Sequence, residues 1–393
     1  MKRWAVYREI ASFEEQATLK HGDVVHRPYR SSIKPQSYTR GTAVTIRDLT
    51  NTDESLTVGT AKVVPFYVDD LDELQSQYSE ANGYADDASQ ELVNFIDGDV
   101  LGEYVNATSK VDDQEISSGT SGNGFTLSVA NVQKVFVQAK QKLRKQHVKF
   151  REGELFAVIS PEFEAVLLDY LAGKDSVLGD KIGVAGHIGQ YMGFDLYVSD
   201  SVGWSAELLI ATQPTDADTV TINGVVFTFK TTLGTTAGNV HSTASADASA
   251  ENLANAINNS EGLAASAVGT DYVELTAANR DLLSGFSATH TASTDTVLVR
   301  AEGWATVVVS EALTAAADVW TAAKQIQHCL FGKKGATDLV IQAKPKLEVK
   351  EVPDKLGKNF LPYTLYGLKT FTEGAKKLVD VRIRSDNFTA SAS

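Results

Sequence analysis

Between residues 38 and 105 the chain places a strand-patterned ribbon directly before a long amphipathic segment, and that succession restricts the folds open to it. Gly41 to Thr50 alternates, with Val44 and Ile46 on one face and Thr45 and Arg47 on the other, the period-2 pattern of a half-buried strand. Asn51-Thr52-Asp53-Glu54 reads as a polar turn. The return limb, Ser55 to Val64, sets Leu56 and Val58 against Thr57 and Gly59 and stops at Pro65, which cannot donate to a ladder. An isolated hairpin is marginal in water. No third strand adjoins this one in sequence, so the pattern predicts that its apolar face is covered by another body, with a second subunit as the expected cover. After the linker Phe66 to Leu74, Tyr78 to Val105 carries Tyr84, Ala88, Leu92, Phe95 and Ile96 along one helical stripe.

The order hairpin, acidic linker, long helix resembles the extended loop and spine helix of tailed-bacteriophage major capsid proteins with the Hong Kong 97 fold. The residues that carry the resemblance are Leu56-Thr57-Val58, then Val63-Val64-Pro65-Phe66-Tyr67-Val68-Asp69-Asp70-Leu71, then Ala88 to Leu101. The closest likeness is to coat proteins of short-tailed phages that carry an inserted domain. Leu155-Phe156-Ala157-Val158-Ile159-Ser160-Pro161-Glu162 is similar to the family's strand-to-helix step, and Gly193-Phe194-Asp195-Leu196-Tyr197-Val198-Ser199-Asp200 to its strand after a glycine-rich loop. Gln342-Ala343-Lys344-Pro345 and Tyr366-Gly367 are similar to its closing strands.

What the resemblance implies is an α+β capsid fold of the Hong Kong 97 type with a β-rich insertion. It has an N-terminal arm (1–37), an extended β-hairpin loop (38–66) and a peripheral domain with the spine helix (67–154). An axial α/β domain follows in two parts (155–210 and 304–338) around the insertion domain (211–303), and closing strands of the peripheral domain come last (339–393). The implied function is that of a major capsid protein, assembled in host cytoplasm as pentamers and hexamers into an icosahedral virion shell around double-stranded DNA. Portal, scaffolding and decoration proteins are the implied partners; no catalytic residue, cofactor or metal site is expected. Val44, Ile46, Arg47, Asp53, Glu54, Leu56, Val58, Asp69 and Asp70 are the expected intersubunit contacts. Two other classes stay open at this point, an encapsulin-like compartment shell and a bacterial surface or adhesion protein.

Composition narrows the field further. A chain of 393 residues suggests roughly two to three domains, and its single cysteine, Cys329, excludes an internal disulfide and a thiolate zinc cluster. Arg8 and Glu9 interrupt the apolar run that a secretory signal would need after Lys2 and Arg3, and no stretch approaches the ~18 apolar residues of a membrane span. Residues 41–210 hold 12 Lys and Arg against 27 Asp and Glu, whereas residues 1–40 hold 8 against 4 and residues 323–393 hold 13 against 7. So acidic a surface will not grip nucleic acid tightly as a whole, because that affinity comes from neutralising phosphates. The basic arm (Arg3, Arg8, Lys20, Arg27, Arg30) is expected to contact neighbouring subunits or face the lumen, or else to be a solvated flexible arm.

Elsewhere, residues 106–124 read as a flexible polar loop whose Gly119-Thr120-Ser121-Gly122-Asn123 lacks the closing glycine of a nucleophile elbow. Thr126 to Gln146 predicts a helix burying Val132, Val135, Phe136, Ala139 and Leu143, with Lys140, Lys142, Arg144 and Lys145 opposite. Ser160 and Pro161 read as N-cap and first residue of a helix over Leu167, Leu168 and Leu171, ended by Gly173. The glycines from Gly179 to Gly193 match neither phosphate-loop spacing. In the insertion, Asn223-Gly224 predicts a tight hairpin, Ser245 or Asp247 caps a helix through Leu253 and Ile257, and strand patterns follow at Tyr272–Leu275 and Thr296–Val299. Gly203-Trp204 and Gly303-Trp304 echo each other, as they would if the entering and leaving strands ran side by side. Ala312 to Gln327 predicts a helix, and Leu339/Ile341, Leu347/Val349 and Val379/Val381/Ile383 predict half-buried closing strands against the spine helix. The seven histidines form no helix-face ligand pair, and Asp69, Asp70, Asp72 and Glu73 read as a solvated connection or an intersubunit charge contact before a cation site.

Overall fold

The computed structural model describes residues 5–17, 24–30, 35–44, 46, 51–69, 80–173, 189–243, 245–258, 268–301, 307–351 and 356–385. The chain forms two compact units, residues 1–93 with 334–375 and residues 94–333 with 376–393. The division falls inside helix α1 (Glu80–Gly102), which buries Ala88, Leu92, Ile96, Val100 and Leu101, while Phe95 is half-buried and Tyr84 exposed. Among the described residues no helix is long and apolar enough to cross a membrane.

In the first unit, β1 (Val24–Arg30) pairs antiparallel with β2 (Asn51–Thr57), Val24 lying opposite Thr57 and Arg30 opposite Asn51. Asn51 to Glu54 is therefore strand, not the turn its polarity suggests. Its ladder partner lies upstream and carries Pro28, a residue tolerated only at sheet edges, so local pattern hides it. The expected return limb also divides. β3 (Thr60–Val63) and β4 (Phe66–Asp69) both pair with β19 (Gly357–Lys369), whose other edge takes the long β18 (Asp338–Glu351). The backbone of β19 runs so close to Thr57 and Val58 that a Cβ at Gly367 would sit 2.5 Å from the Thr57 carbonyl oxygen. Leu56, Val58, Val340 and Phe371 form this unit's apolar cluster, with Val25 and Leu365 packed against it.

The second unit is built on a ten-stranded sheet. Its path runs β13 (Phe286–Thr291), β14 (Thr296–Ala301), β9 (Gly203–Leu209), β17 (Ile326–Lys333), β6 (Leu155–Ile159), β8 (Phe194–Val198), β7 (Gln190–Tyr191). β20 (Leu378–Arg384) joins β17, β5 (Ser109–Val111) joins β20, and β16 (Val319–Trp320) joins β9. Helices α2 (Val132–Lys145) and α3 (Pro161–Ala172) cover one face. All five residues read as the buried stripe of α2 are buried, and Ser160 Oγ accepts the Phe163 N–H at 3.2 Å as the N-cap of α3. Phe136 sits at the centre, its ring centroid 4.9–5.9 Å from those of Tyr191, Phe331, Phe163 and Phe194.

A four-stranded sheet, β12 (Asn239–His241), β11 (Val225–Lys230), β10 (Thr219–Ile222), β15 (Val309–Ala312), with α4 (Ala246–Asn258) makes the second core of this unit. Its hairpin turns on Asn223 (φ 50°) and Gly224 (φ 81°), two left-handed residues as a type I′ turn requires. Ser245 Oγ caps α4 by accepting the Ala248 N–H at 3.2 Å.

Several expectations change. The strand read at Thr296–Val299 as the end of a separate insertion lies in β14, which with β13, unmarked by the sequence pattern, belongs to the ten-stranded sheet, with Ala301 opposite Trp204 on β9; the Gly303-Trp304 echo itself lies outside the described residues. Tyr272 makes only isolated bridges. Ala312 to Gln327 is not a helix: it supplies the end of β15, β16, a 3₁₀ turn at Ala322–Lys324 and the start of β17. Alanine content favours helix locally, but Ile326 to Gly332 is buried on both faces as a central strand, and burial decides. Residues 106–124 hold β5 and a helical turn, Asp113–Ser117, with a reciprocal Asp112/Glu115 capping box. β20 completes the ten-stranded sheet and does not join β18 and β19 as a closing strand.

Candidate functional site

The expected contact residues fall into three groups. Val44 and Ile46 lie between β1 and β2 in sequence and are 56% and 90% exposed, with Tyr38 beside them in sequence at 66%. Burying such side chains stabilises by about 1.5–3 kcal/mol each, so the loop keeps an apolar surface that the first unit leaves in water. Leu56 and Val58 are 0% and 6% exposed within the first unit, which corrects their assignment as intersubunit contacts: β18 and β19, distant in sequence, supply the cover expected from a neighbour. The acidic residues are also engaged. His26 Nδ1 and Asp53 Oδ2 are 2.6 Å apart, Glu54 accepts the Thr372 N–H and hydroxyl, and Asp69 ends β4 and accepts the Tyr67 hydroxyl at 3.2 Å. Arg47 and Asp70 lie outside the described residues.

A second polar site, not legible as one in the sequence, lies on the sheet face opposite α2 and α3. Facing pairs in the ladders put Arg300, Ser205 and Ile326 in one row, Gly203, His328 and Arg382 in the next, and Asp380 with Lys110 in the third. His328 Nδ1 lies 2.7 Å from Asp380 Oδ1 and its Nε2 2.8 Å from Ser205 Oγ, while Arg382 Nε donates to Asp380 Oδ2 at 2.8 Å. All three members of the Ser205, His328, Asp380 chain are buried. Burial pushes His328 below the usual histidine range against the opposing pull of Asp380, so the ring is neutral, with Nδ1–H donating to Asp380 and Nε2 accepting from Ser205. Burial alone would raise Asp380; His328 and Arg382 outweigh it and hold the carboxyl ionised below its ordinary value.

These distances satisfy the nucleophile, base and orienter spacing of a hydrolase. Ser205, however, lies in a strand paired on both edges, so the backbone N–H groups beside it are committed to ladders and cannot form an oxyanion hole. The chain acts as a brace across β9, β17 and β20. Cys329, next along β17, has its thiol pushed up to about 12 by burial and is inert. Among the described residues no group of three or more His, Cys, Asp or Glu could hold a metal ion.

The brace is sealed by Tyr104, whose ring stacks on His328 at 3.8 Å between centroids. A Cβ at Gly203 would lie 2.2 Å from a carbon of that ring. Gly203→Ala is therefore expected to destabilise the second unit by about 1–3 kcal/mol through overpacking, and Tyr104→Ala in the same chain is expected to relieve the clash. A urea series on the two single variants and the double variant reads the coupling.

The brace also sets a pH dependence. A histidine whose folded pKa lies below its unfolded value contributes stability that is complete above the unfolded value near 6.5 and is lost as pH falls from there toward the folded value. Denaturant midpoints at pH 7.5 and pH 5.5 are expected to show the native chain losing more stability on acidification than His328→Gln. Equal losses would mean that His328 is not buried neutral.

No protein-family model matches the sequence, and no curated protein sequence is similar to it. Solved structures do share its fold. A chain from the structure of Mycobacterium phage Che8 aligns with a TM-score of 0.55 at 12% identity, covering 97% of this chain and 93% of that one. A chain from the capsid of cyanophage P-SCSP1u aligns at 0.49 with 10% identity over 92% and 84% of the two chains, and one from the capsid of a native GTA particle at 0.49 with 7% over 98% and 92%. At a TM-score of 0.55 the Che8 likeness shows a common architecture: this chain shares the mixed α+β fold of that phage chain.

Proposed function

We propose that the chain is the major capsid protein of a tailed double-stranded DNA phage, assembling as pentamers and hexamers into an icosahedral shell around the genome. The observation that carries this reading is the alignment of nearly the whole chain, 97%, with nearly the whole of a phage chain of the same fold. The chain's chemistry in this role is association. Heterologous contacts that close into rings give capsomers of five or six copies, and the segment bearing Tyr38, Val44 and Ile46 offers apolar surface for a neighbour to cover. DNA is enclosed without tight binding, in keeping with a net charge of −14. A portal and a scaffolding protein, with decoration proteins on the outer surface, complete the proposed set of partners, and the protein resides in the virion after assembly in host cytoplasm.

The test is expression of the full chain with and without a co-expressed scaffold, followed by negative-stain microscopy. Uniform closed shells in either condition support the reading; a monomer under every condition, at any concentration, ends it. Val44→Asp with Ile46→Asp is expected to leave the subunit folded, because exposed substitutions cost within about 0.5 kcal/mol, yet to cut shell yield severely. Native yield from that variant would remove the loop from the assembly contact.

A further inference from the structure

The open side of the brace is a cavity of about 190 Å³ in the second unit, and its walls are cationic in a chain that is strongly acidic overall. Lys110, Arg300, Lys324 and Arg382 line it, with Glu207 as the one lining carboxylate. Their placement follows from register: Arg300 faces Ser205 across β14 and β9, Arg382 faces His328 across β20 and β17, and Lys110 faces Asp380 across β5 and β20. Three strands and the 3₁₀ turn that ends at Lys324 thus direct positive side chains to one patch.

Two of the four charges are matched. Lys324 Nζ lies 3.7 Å from Glu207, and Arg382 is bound by Asp380 beneath the cavity floor. Lys110 and Arg300 have no carboxylate within ion-pair distance among the described residues, which leaves a surplus of two positive charges around a half-enclosed space. The repulsion is felt within the site. Arg382, then burial, then Arg300 push the Lys110 ammonium down against the pull of Asp380 and Asp112. The cations also converge: Arg382 Nη1 donates to the Gly122 carbonyl at 3.2 Å, and a Cβ built at Gly122 would lie 3.7 Å from Lys324 Nζ and 3.9 Å from Arg382 Nη1, so both groups stand beside the same residue. Ser205 and His328 also line the cavity, and because the Ser205 proton is given to His328 Nε2 the hydroxyl oxygen is left there only as an acceptor.

We propose that this cavity binds a phosphate-class dianion, which supplies the two missing negative charges, as free inorganic phosphate or as the terminal phosphate of a polynucleotide. Charge-assisted hydrogen bonds from guanidinium and ammonium groups are the strong class of such contacts, and a site walled by protein on several sides is screened by salt less than an open surface.

The full chain, kept as unassembled subunits, is titrated with sodium phosphate at constant ionic strength in chloride, reading phosphorus NMR line width and thermal midpoint. Saturable broadening and a rise in midpoint are expected for the native chain. Lys110→Gln with Arg300→Gln is expected to weaken binding about tenfold or more, while Lys149→Gln, outside the cavity and with the one-charge change of Lys110→Gln, leaves it unaltered. Lys110→Gln alone guards against a misfolded double variant. It is expected to weaken phosphate binding yet raise the midpoint of the phosphate-free protein by removing repulsion, a pair of effects that a merely structural lysine would not give. Competition by a 5′-phosphorylated oligothymidylate but not by its 5′-hydroxyl counterpart assigns the polynucleotide end as a source; no competition by either assigns the free anion. Equal phosphate binding in native, double-variant and Lys149→Gln proteins, or none in the native chain, overturns the proposal. Subunits are used throughout, so failure to assemble and failure to bind remain separate results.

Discussion

Asp380→Ala is expected to destabilise the second unit by about 3–5 kcal/mol, the cost of removing one partner from a buried ion pair and stranding the other. The carboxylate accepts from His328 Nδ1 on one oxygen and from Arg382 Nε on the other, and its residue is completely buried. Alanine leaves both donors facing a void that the stacked Tyr104 and the ladders of β17 and β20 do not allow to collapse. Trp204 and Trp320 are buried in the same unit, so tryptophan fluorescence through a urea gradient reports its unfolding. The loss is specific to stranded donors. Replacing Asp380, His328 and Arg382 together by leucine, leucine and methionine is expected to cost far less than the single change, because an apolar core of similar volume has no charge left uncompensated. If the triple variant is as unstable as Asp380→Ala, the penalty arises from shape and the electrostatic account fails.

The brace clarifies what the sequence could and could not reveal. α2 was legible in full because a helix stripe is a local pattern: Val132, Val135, Phe136, Ala139 and Leu143 recur at helical spacing and all are buried. The Ser160-Pro161 start and the Asn223-Gly224 turn were legible for the same reason, since caps and tight turns are set by the residues that form them. The brace joins residues 52 and 123 positions apart, and nothing local marks them. One signal was present and pointed the wrong way: Asp380 alternates with Val379 and Val381, which suggests a solvated strand face, and the cover over that face comes from Tyr104, far upstream.

The hairpin shows the same division more sharply. Its alternation at Leu56 and Val58 correctly marked side chains that require burial, but pattern cannot say which body provides it. Here β18 and β19 do, and the shared fold stands without that step. In the proposed assembly the surface left for association is the one that carries Val44 and Ile46, which remain in water. A subunit with the proposed role needs surface of this kind, because a closed assembly is held by contacts that each subunit makes after it has folded.

Phe136→Ala carries an expected cost of similar size, about 3–5 kcal/mol, and it separates subunit stability from assembly. The ring touches Phe163 on α3, Tyr191 on β7, Phe194 on β8 and Phe331 on β17, so it locks a helix pair to three strands of the ten-stranded sheet. Truncation removes the transfer energy of a fully buried aromatic side chain and leaves a cavity that four rigid rings cannot close, which places the cost toward the upper end. Phe136→Leu retains most of the volume and is expected to cost less than half as much. Urea unfolding of isolated subunits gives both values. Because Phe136 reaches no surface, shell yield from the alanine variant is expected to fall only as the folded fraction falls, and to recover at lower temperature or with added osmolyte. The Val44→Asp, Ile46→Asp variant predicts the opposite pairing, an undisturbed subunit with lost assembly. Should Phe136→Ala subunits fold fully and still fail to form shells, the aromatic core would have to shape the contact surface itself, and the separation between folding within the chain and association through its exposed loop would have to be abandoned.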